Sequence, residues 1–266
     1  MKRLLNSFLS ELRKSATLPA VWAGIATSLL GSAAITALNA VTVLGAVATE
    51  TTERLADTSP FETGFAGMPI FGVVGAVIIG VTVIGSEYTA DRAESGGARQ
   101  ITTTLATTPR RTTLFVAKAL TVLVYVASTA LVTIPGNLAL AWAMTHDAGI
   151  ETVTQDEAVA RILGTALYWG LMGLIAFSVT TLAQNGIIPL ILLIANSSLV
   201  SFSLLLTNLT PLAHWLPDMA GRNLFGFPAE YVVQGGLDTV PGAPVMGAWT
   251  LGLLLISGIL FRRRDA

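Results

Sequence analysis

Six long apolar runs, at 20–47, 64–86, 114–145, 159–183, 187–207 and 243–261, leave this chain of 266 residues few ways to fold. Each run approaches or exceeds the ~20 residues that carry an α-helix across the hydrocarbon of a bilayer. A water-soluble domain of this length has no use for so much apolar surface, since 53% of the residues are hydrophobic and only 12% are charged. Inside a membrane every backbone polar group needs an internal partner, so a spanning segment is a helix or a strand of a closed barrel. The short alternating segments of a barrel are absent. The expectation is an all-α membrane protein with six transmembrane helices, built as one domain over 1–266. Only Gln184, Asn185 and Gly186 separate the fourth and fifth runs, with Pro189 placed to begin the next helix. A re-entrant hairpin is the alternative there.

Residues 1–18 precede the first run and have a different pattern. Leu5, Phe8, Leu9 and Leu12 form an apolar helical face, with Lys2, Arg3, Arg13 and Lys14 on or beside the polar one. That predicts an amphipathic helix lying in the interface of an anionic leaflet. A cleaved signal peptide is the competing reading, but the apolar run that follows is too long for its core.

Basic residues set the expected orientation. With both termini and the connection between the second and third runs inside, Lys2, Arg3, Arg13, Lys14, Arg92, Arg99, Arg110, Arg111, Lys118 and Arg262 to Arg264 are cytoplasmic. Only Arg54, Arg161 and Arg222 remain outside. The first two outer connections are acidic, carrying Glu50, Glu53, Asp57 and Glu62, then Asp147, Glu151, Asp156 and Glu157. They read as solvated loops or as a cation-attracting vestibule. The third, 208–242, is long, sparsely charged and punctuated by Pro211, Pro217 and Pro228. Two short re-entrant helices before the last span are expected in it, because a structureless loop of that length is unusual. Trp215, Phe225 and Phe227 are its candidate outer-gate residues.

Several chemistries lack their residues. The three lysines, Lys2, Lys14 and Lys118, do not follow glycine, so no Walker-A phosphate loop exists and no ATP hydrolysis is expected of this chain. The chain has no cysteine. His146 and His214 fall outside the apolar runs and are expected at the surface; no metal site and no catalytic residue is proposed from them. The runs carry no ionisable residue away from their ends, Lys118 and Arg161 each lying close to an interface, which disfavours an ion-coupled carrier. What the runs do hold is small or weakly polar. Gly72, Ala76 and Gly80, and Ala166 with Gly170, recur at four-residue spacing and allow close helix approach, within the chain or at a dimer seam. Asn39, Asn137 and Asn196 lie in three different runs, as path-lining amides or as bonds between helices. Pro135 and Gly136 are expected to bend the third span.

The most charged stretch lies between the second and third runs. Ser86, Glu87 and Tyr88 open it, Arg92, Glu94, a Gly96-Gly97 break and Arg99 follow, and a threonine-rich segment leads to Pro109, Arg110, Arg111 and then Lys118. The order of Ser-Glu-Tyr, small-residue turn, Thr-Thr-Leu-Ala-Thr-Thr-Pro-Arg-Arg and the following lysine resembles the membrane subunit (permease) of ABC type-2 exporters. Span count and loop order agree along the whole chain, although nine residues, Thr89 to Gly97, separate the Glu-Tyr pair from the threonine-rich turn.

The resemblance implies that this segment is a cytoplasmic coupling element for a separate ABC ATPase subunit, with Glu87, Arg92, Arg99, Pro109, Arg110, Arg111 and Lys118 as its coupling residues: the four arginines would meet the ATPase or anionic lipid, Glu87 would fix the segment to the end of the second span, and Lys118 would anchor the third. ATP and magnesium would then be bound by that partner, with no cofactor on this chain. It further implies a dimer of permease copies, a bacterial cytoplasmic membrane, lipid contacts and an amphipathic or apolar cargo; no nucleic-acid partner is expected. A scaffold or sensor subunit that transports nothing, holding a regulatory partner by the same segment, is the rival reading.

Overall fold

The computed structural model describes residues 2–51, 59–88, 110–148, 150–197, 201–226 and 235–263, and among these every regular element is helical. An amphipathic helix α1 (Lys2–Ala16) is followed by α2 (Pro19–Ala48), α3 (Pro60–Tyr88), α4 (Arg111–Thr145) and α5 (Gln155–Ala183). Three short helices come next, α6 (Ile187–Asn196), α7 (Phe202–Thr207) and α8 (Pro217–Gly221), before α9 (Thr239–Arg263). Of these, α2, α3, α4, α5 and α9 are long and apolar enough to cross a membrane. The described chain is thus an all-helical protein with five candidate spans.

The run expected as a span over 187–207 is divided in two, with 198–200 outside the described residues. Local chemistry accounts for the division. Ser201 caps α7 by accepting from Leu204 N at 3.0 Å, and Asn196 Oδ1 accepts from Ser203 N at 3.1 Å. Polar side chains here take the N–H groups that a continuous helix would give to its own backbone. The turn before α6 is tight: Gln184 adopts a left-handed conformation and Asn185 Oδ1 accepts from Ile187 N at 2.7 Å.

Two spans begin earlier than their apolar runs. Ser59 and Thr154 cap α3 and α5, each accepting from the backbone N–H of a glutamate three residues on, Glu62 and Glu157. These are Ser and Thr N-caps, and they extend the helices outward past the apolar residues. The extension takes Glu62 out of the expected loop and sets Arg161, expected near the interface at the start of its run, well inside α5. α4, by contrast, passes Pro135 without a break. Short helices occupy the connection before α9: α8 lies between 3-10 turns at Pro211–Trp215 and Arg222–Phe225.

α2, α3, α4 and α5 alternate in direction and α9 runs parallel to α5, because the contacts between them sort into two ends. Phe115 packs, with tilted rings, against Phe177 and Phe261, and Lys118 donates to Val83 O, at one end. At the other, Arg161 meets Glu62 and Phe225. Small residues set the spacing between. The Trp169 indole lies against Gly72 so closely that an added Cβ would fall 1.7 Å from the ring, and one on Gly80 would fall 2.2 Å from the Gly173 carbonyl. The Gly72, Ala76 and Gly80 face therefore packs inside the chain, on α5. A π-helical turn in α2 (Thr27–Gly31) sits against another in α3 (Met68–Gly72), with Ser28 donating to Phe71 O at 3.5 Å.

Candidate functional site

Lys118 is the centre of the most unusual site in the bundle. It lies two turns into α4, with its side chain completely buried. Its Nζ donates to Glu11 Oε2 at 2.5 Å, Glu87 Oε1 at 2.8 Å and the Val83 carbonyl at 3.2 Å. An ammonium has three protons, and here each has an acceptor. Lys14 adds a second cation, 2.5 Å from Glu87 Oε1. Two carboxylates and two ammonium groups are thereby gathered at the junction of three segments, α1, the end of α3 and the start of α4.

Each segment contributes for a local reason. α1 turns its polar Glu11 and Ser15 into the bundle while Leu5 and Leu9 stay exposed beside Lys2, Arg3 and Arg13. The last turn of α3 tightens into a 3-10 turn at Ser86–Tyr88, which buries Glu87. Val83 lies in the last turn of the preceding α-helix, where carbonyls lack intrahelical partners. The α1 end is further fastened by Tyr125 Oη donating to Leu12 O at 2.9 Å and Trp22 Nε1 donating to Ala16 O at 2.8 Å. Charges removed from water are tolerable only when paired and hydrogen-bonded, and this network meets both conditions with zero formal charge.

The remaining expected coupling residues distribute unevenly. Arg110 is exposed just before α4, whereas Arg111 is half-buried and donates from Nη1 to Phe261 O at 3.4 Å, satisfying a carbonyl near the C-terminus of α9. Arg92, Arg99 and Pro109 lie outside the described residues. Glu87 and Lys118, read from the sequence as separate anchors, are one ion pair. Glu11 and Lys14 were not singled out as a pair of ligands for them, although their three-residue spacing puts both on one face of α1.

A second buried charge site lies at the opposite end. Arg161 donates from Nη1 and Nη2 to the two oxygens of Glu62, the second at 2.9 Å, and from Nε to Phe225 O at 3.0 Å. The guanidinium also stands 5.0 Å and 4.7 Å from the ring centroids of Phe61 and Phe65. Gly226 makes this approach possible: its φ is +62° and a Cβ there would meet Arg161 Cγ at 2.5 Å. The start of α3 is held by Glu151, which accepts from Ser59 Oγ at 2.5 Å and Phe61 N at 3.1 Å. Glu62 and Glu151, expected in solvated loops, thus organise structure.

The three amides do different work. Asn137 donates to Ser32 Oγ at 2.6 Å, joining α4 to α2. Asn196 donates to Asp218 Oδ2 at 2.9 Å, tying the α6 end to α8; burial holds the Asp218 carboxyl above the usual carboxylate range. Asn39 is half-buried in α2. No hydrogen bond joins any two of them among the described residues. Of the expected gate residues, Phe225 is buried against Tyr168 at 4.6 Å between ring centroids, Trp215 is half exposed, and Phe227 lies outside the described residues. His214, expected at the surface, is buried, with no hydrogen-bond partner for Nδ1 among the described residues. Among the described residues no cluster of His, Asp or Glu could hold a metal ion.

Compared with known proteins, the chain matches no family model, no curated protein and no solved structure.

Proposed function

We propose that this chain is the permease subunit of an ATP-driven exporter of the ABC type-2 kind, moving an amphipathic or apolar cargo outward. The reading takes 187–207 as a sixth span, interrupted at its middle, and places both termini and the 89–109 segment in the cytoplasm of a bacterium. The observation that carries it is the buried charge network on Lys118. Glu87 is the last buried side chain before the charged segment, and through Lys118 it is bonded to α1 and α4 together. A push on that segment by a nucleotide-driven partner therefore reaches three elements at once. The exposed Arg110 and the arginines of the segment meet the ATPase, and Leu5 and Leu9 of α1 rest in the leaflet with Lys2, Arg3 and Arg13 at headgroup level. A second permease copy completes the path.

Purification of the tagged chain from its native membranes in mild detergent tests this reading. A co-purifying ATPase subunit is expected, with ATP hydrolysis that falls when Arg110→Glu and Arg111→Glu are combined. Recovery without any ATPase, under conditions that preserve other membrane complexes, overturns the permease assignment in favour of a non-transporting scaffold.

A further inference from the structure

An open trough of about 530 Å³ runs between α4 and α5, and every residue lining it is apolar. Its floor is made of Ala130, Ile134, Ala166 and Gly170, while Leu131, Leu163 and Leu167 stand exposed along its rims. Small residues on the floor keep the two helices from filling the space themselves. At Gly170 an added Cβ would meet only Leu123, at 3.6 Å.

We propose that this trough is a binding site for one acyl chain of a membrane phospholipid, with the lipid headgroup at the Arg161 end of the bundle. Three observations select that occupant. No side chain of the lining offers water a hydrogen-bond partner, so water occupies the trough poorly. A second copy is disfavoured because the trough is a small fraction of the ~800 Å² per partner that a stable interface buries. Length favours a chain: from Leu123 to Leu138 the trough follows α4 for roughly 22 Å, longer than one leaflet's half of the ~30 Å hydrocarbon core.

The headgroup end is fixed by Trp142. It stands one turn beyond Leu138 on the same face of α4, is 67% exposed, and has the amphipathic ring that favours the headgroup level. Val159, one turn before Leu163, is the exposed rim residue opposite, with the polar Gln155 and Asp156 beyond it. The inference rests on the membrane reading of α4 and α5 and not on transport, since a scaffold would carry the same trough.

The test uses the full chain reconstituted in lipid nanodiscs with a phospholipid bearing a photoreactive diazirine on its acyl chain. Cross-linked peptides from 123–138 and 162–171 are expected to be labelled several-fold above the exposed face of α9 at Leu251, Leu255 and Ile259. Filling the floor with Gly170→Leu, or separately Ala166→Leu, should bring the trough's labelling down to the α9 level in whichever variant remains monodisperse. Labelling equal to α9 in the native chain, or unchanged by both fillings, overturns the site. Cross-linking between copies through Leu131→Cys, clean because the chain has no cysteine of its own, overturns it in favour of a second copy.

Discussion

The two buried charge sites sit at opposite ends of one bundle and solve the same problem differently. At the α1 end, four small point charges from three segments share one network, and one of those segments is a helix outside the five candidate spans. At the Arg161 end, a single guanidinium is enclosed by one carboxylate, one carbonyl and two aromatic rings. The first arrangement is shared out, so its integrity depends on α1 staying docked. The second is a clamp between α5, α3 and the turn at Phe225, complete without α1. A bundle built this way yields at the α1 end and holds at the other.

The largest break expected is Lys118→Met. It leaves Glu11 and Glu87 buried with only Lys14 to offset them, and losing one partner of a buried pair costs about 3–5 kcal/mol. Thermal unfolding in detergent should show it, together with protease access to α1. Arg161→Met should cost a similar or slightly smaller amount, about 3 kcal/mol, because Glu62 is less deeply enclosed, and α1 should stay protected. Equal release of α1 by both substitutions would erase the distinction between the ends.

Arg161→Lys is a sharper probe. It keeps the charge but loses the bidentate pairing and ring stacking, and a loss of about 1–2 kcal/mol is expected from unfolding curves. The smallest effect is expected from Lys14→Ala. Its side chain is a quarter exposed and Lys118 still holds Glu87, so about 1 kcal/mol is expected, seen as faster labelling of a cysteine placed at Ser15.

Asp218 belongs to neither site and supplies a pH control. Its folded pKa is raised by burial, so its contribution to stability is full below the unfolded value and is lost as pH rises through the folded one. Melting measured across acidic to neutral pH should therefore show a step that Asp218→Asn removes.

The sequence made five of the spans plain, since α2, α3, α4, α5 and α9 each rest on an uninterrupted apolar run. It obscured the ends. Hydropathy stops where charges begin, and for that reason Glu62 and Arg161 were read as loop or interface residues. The N-caps at Ser59 and Thr154, a local hydrogen-bond signal, carry the missing turns. The break within 187–207 was obscured for the opposite reason: Asn196, Ser197 and Ser201 are too few to lower a hydropathy average, yet enough to cap two helix ends. The pairing of Glu11 with Lys118 joins residues 107 positions apart. Nothing local encodes it, and only the packing of α1 across α4 brings the two together.

α4 turns that packing into a mechanical property. From Lys118 to Asn137 it is one continuous helix, roughly 28 Å along its axis at 1.5 Å per residue. A tilt of about 5° pivoting at Lys118 displaces Asn137 by roughly 2.5 Å at that rise, enough to pull its amide out of hydrogen-bond reach of Ser32. The helix is a lever whose fulcrum is a salt bridge, and a small angular change at one face of the membrane is read near the other as a bond made or broken.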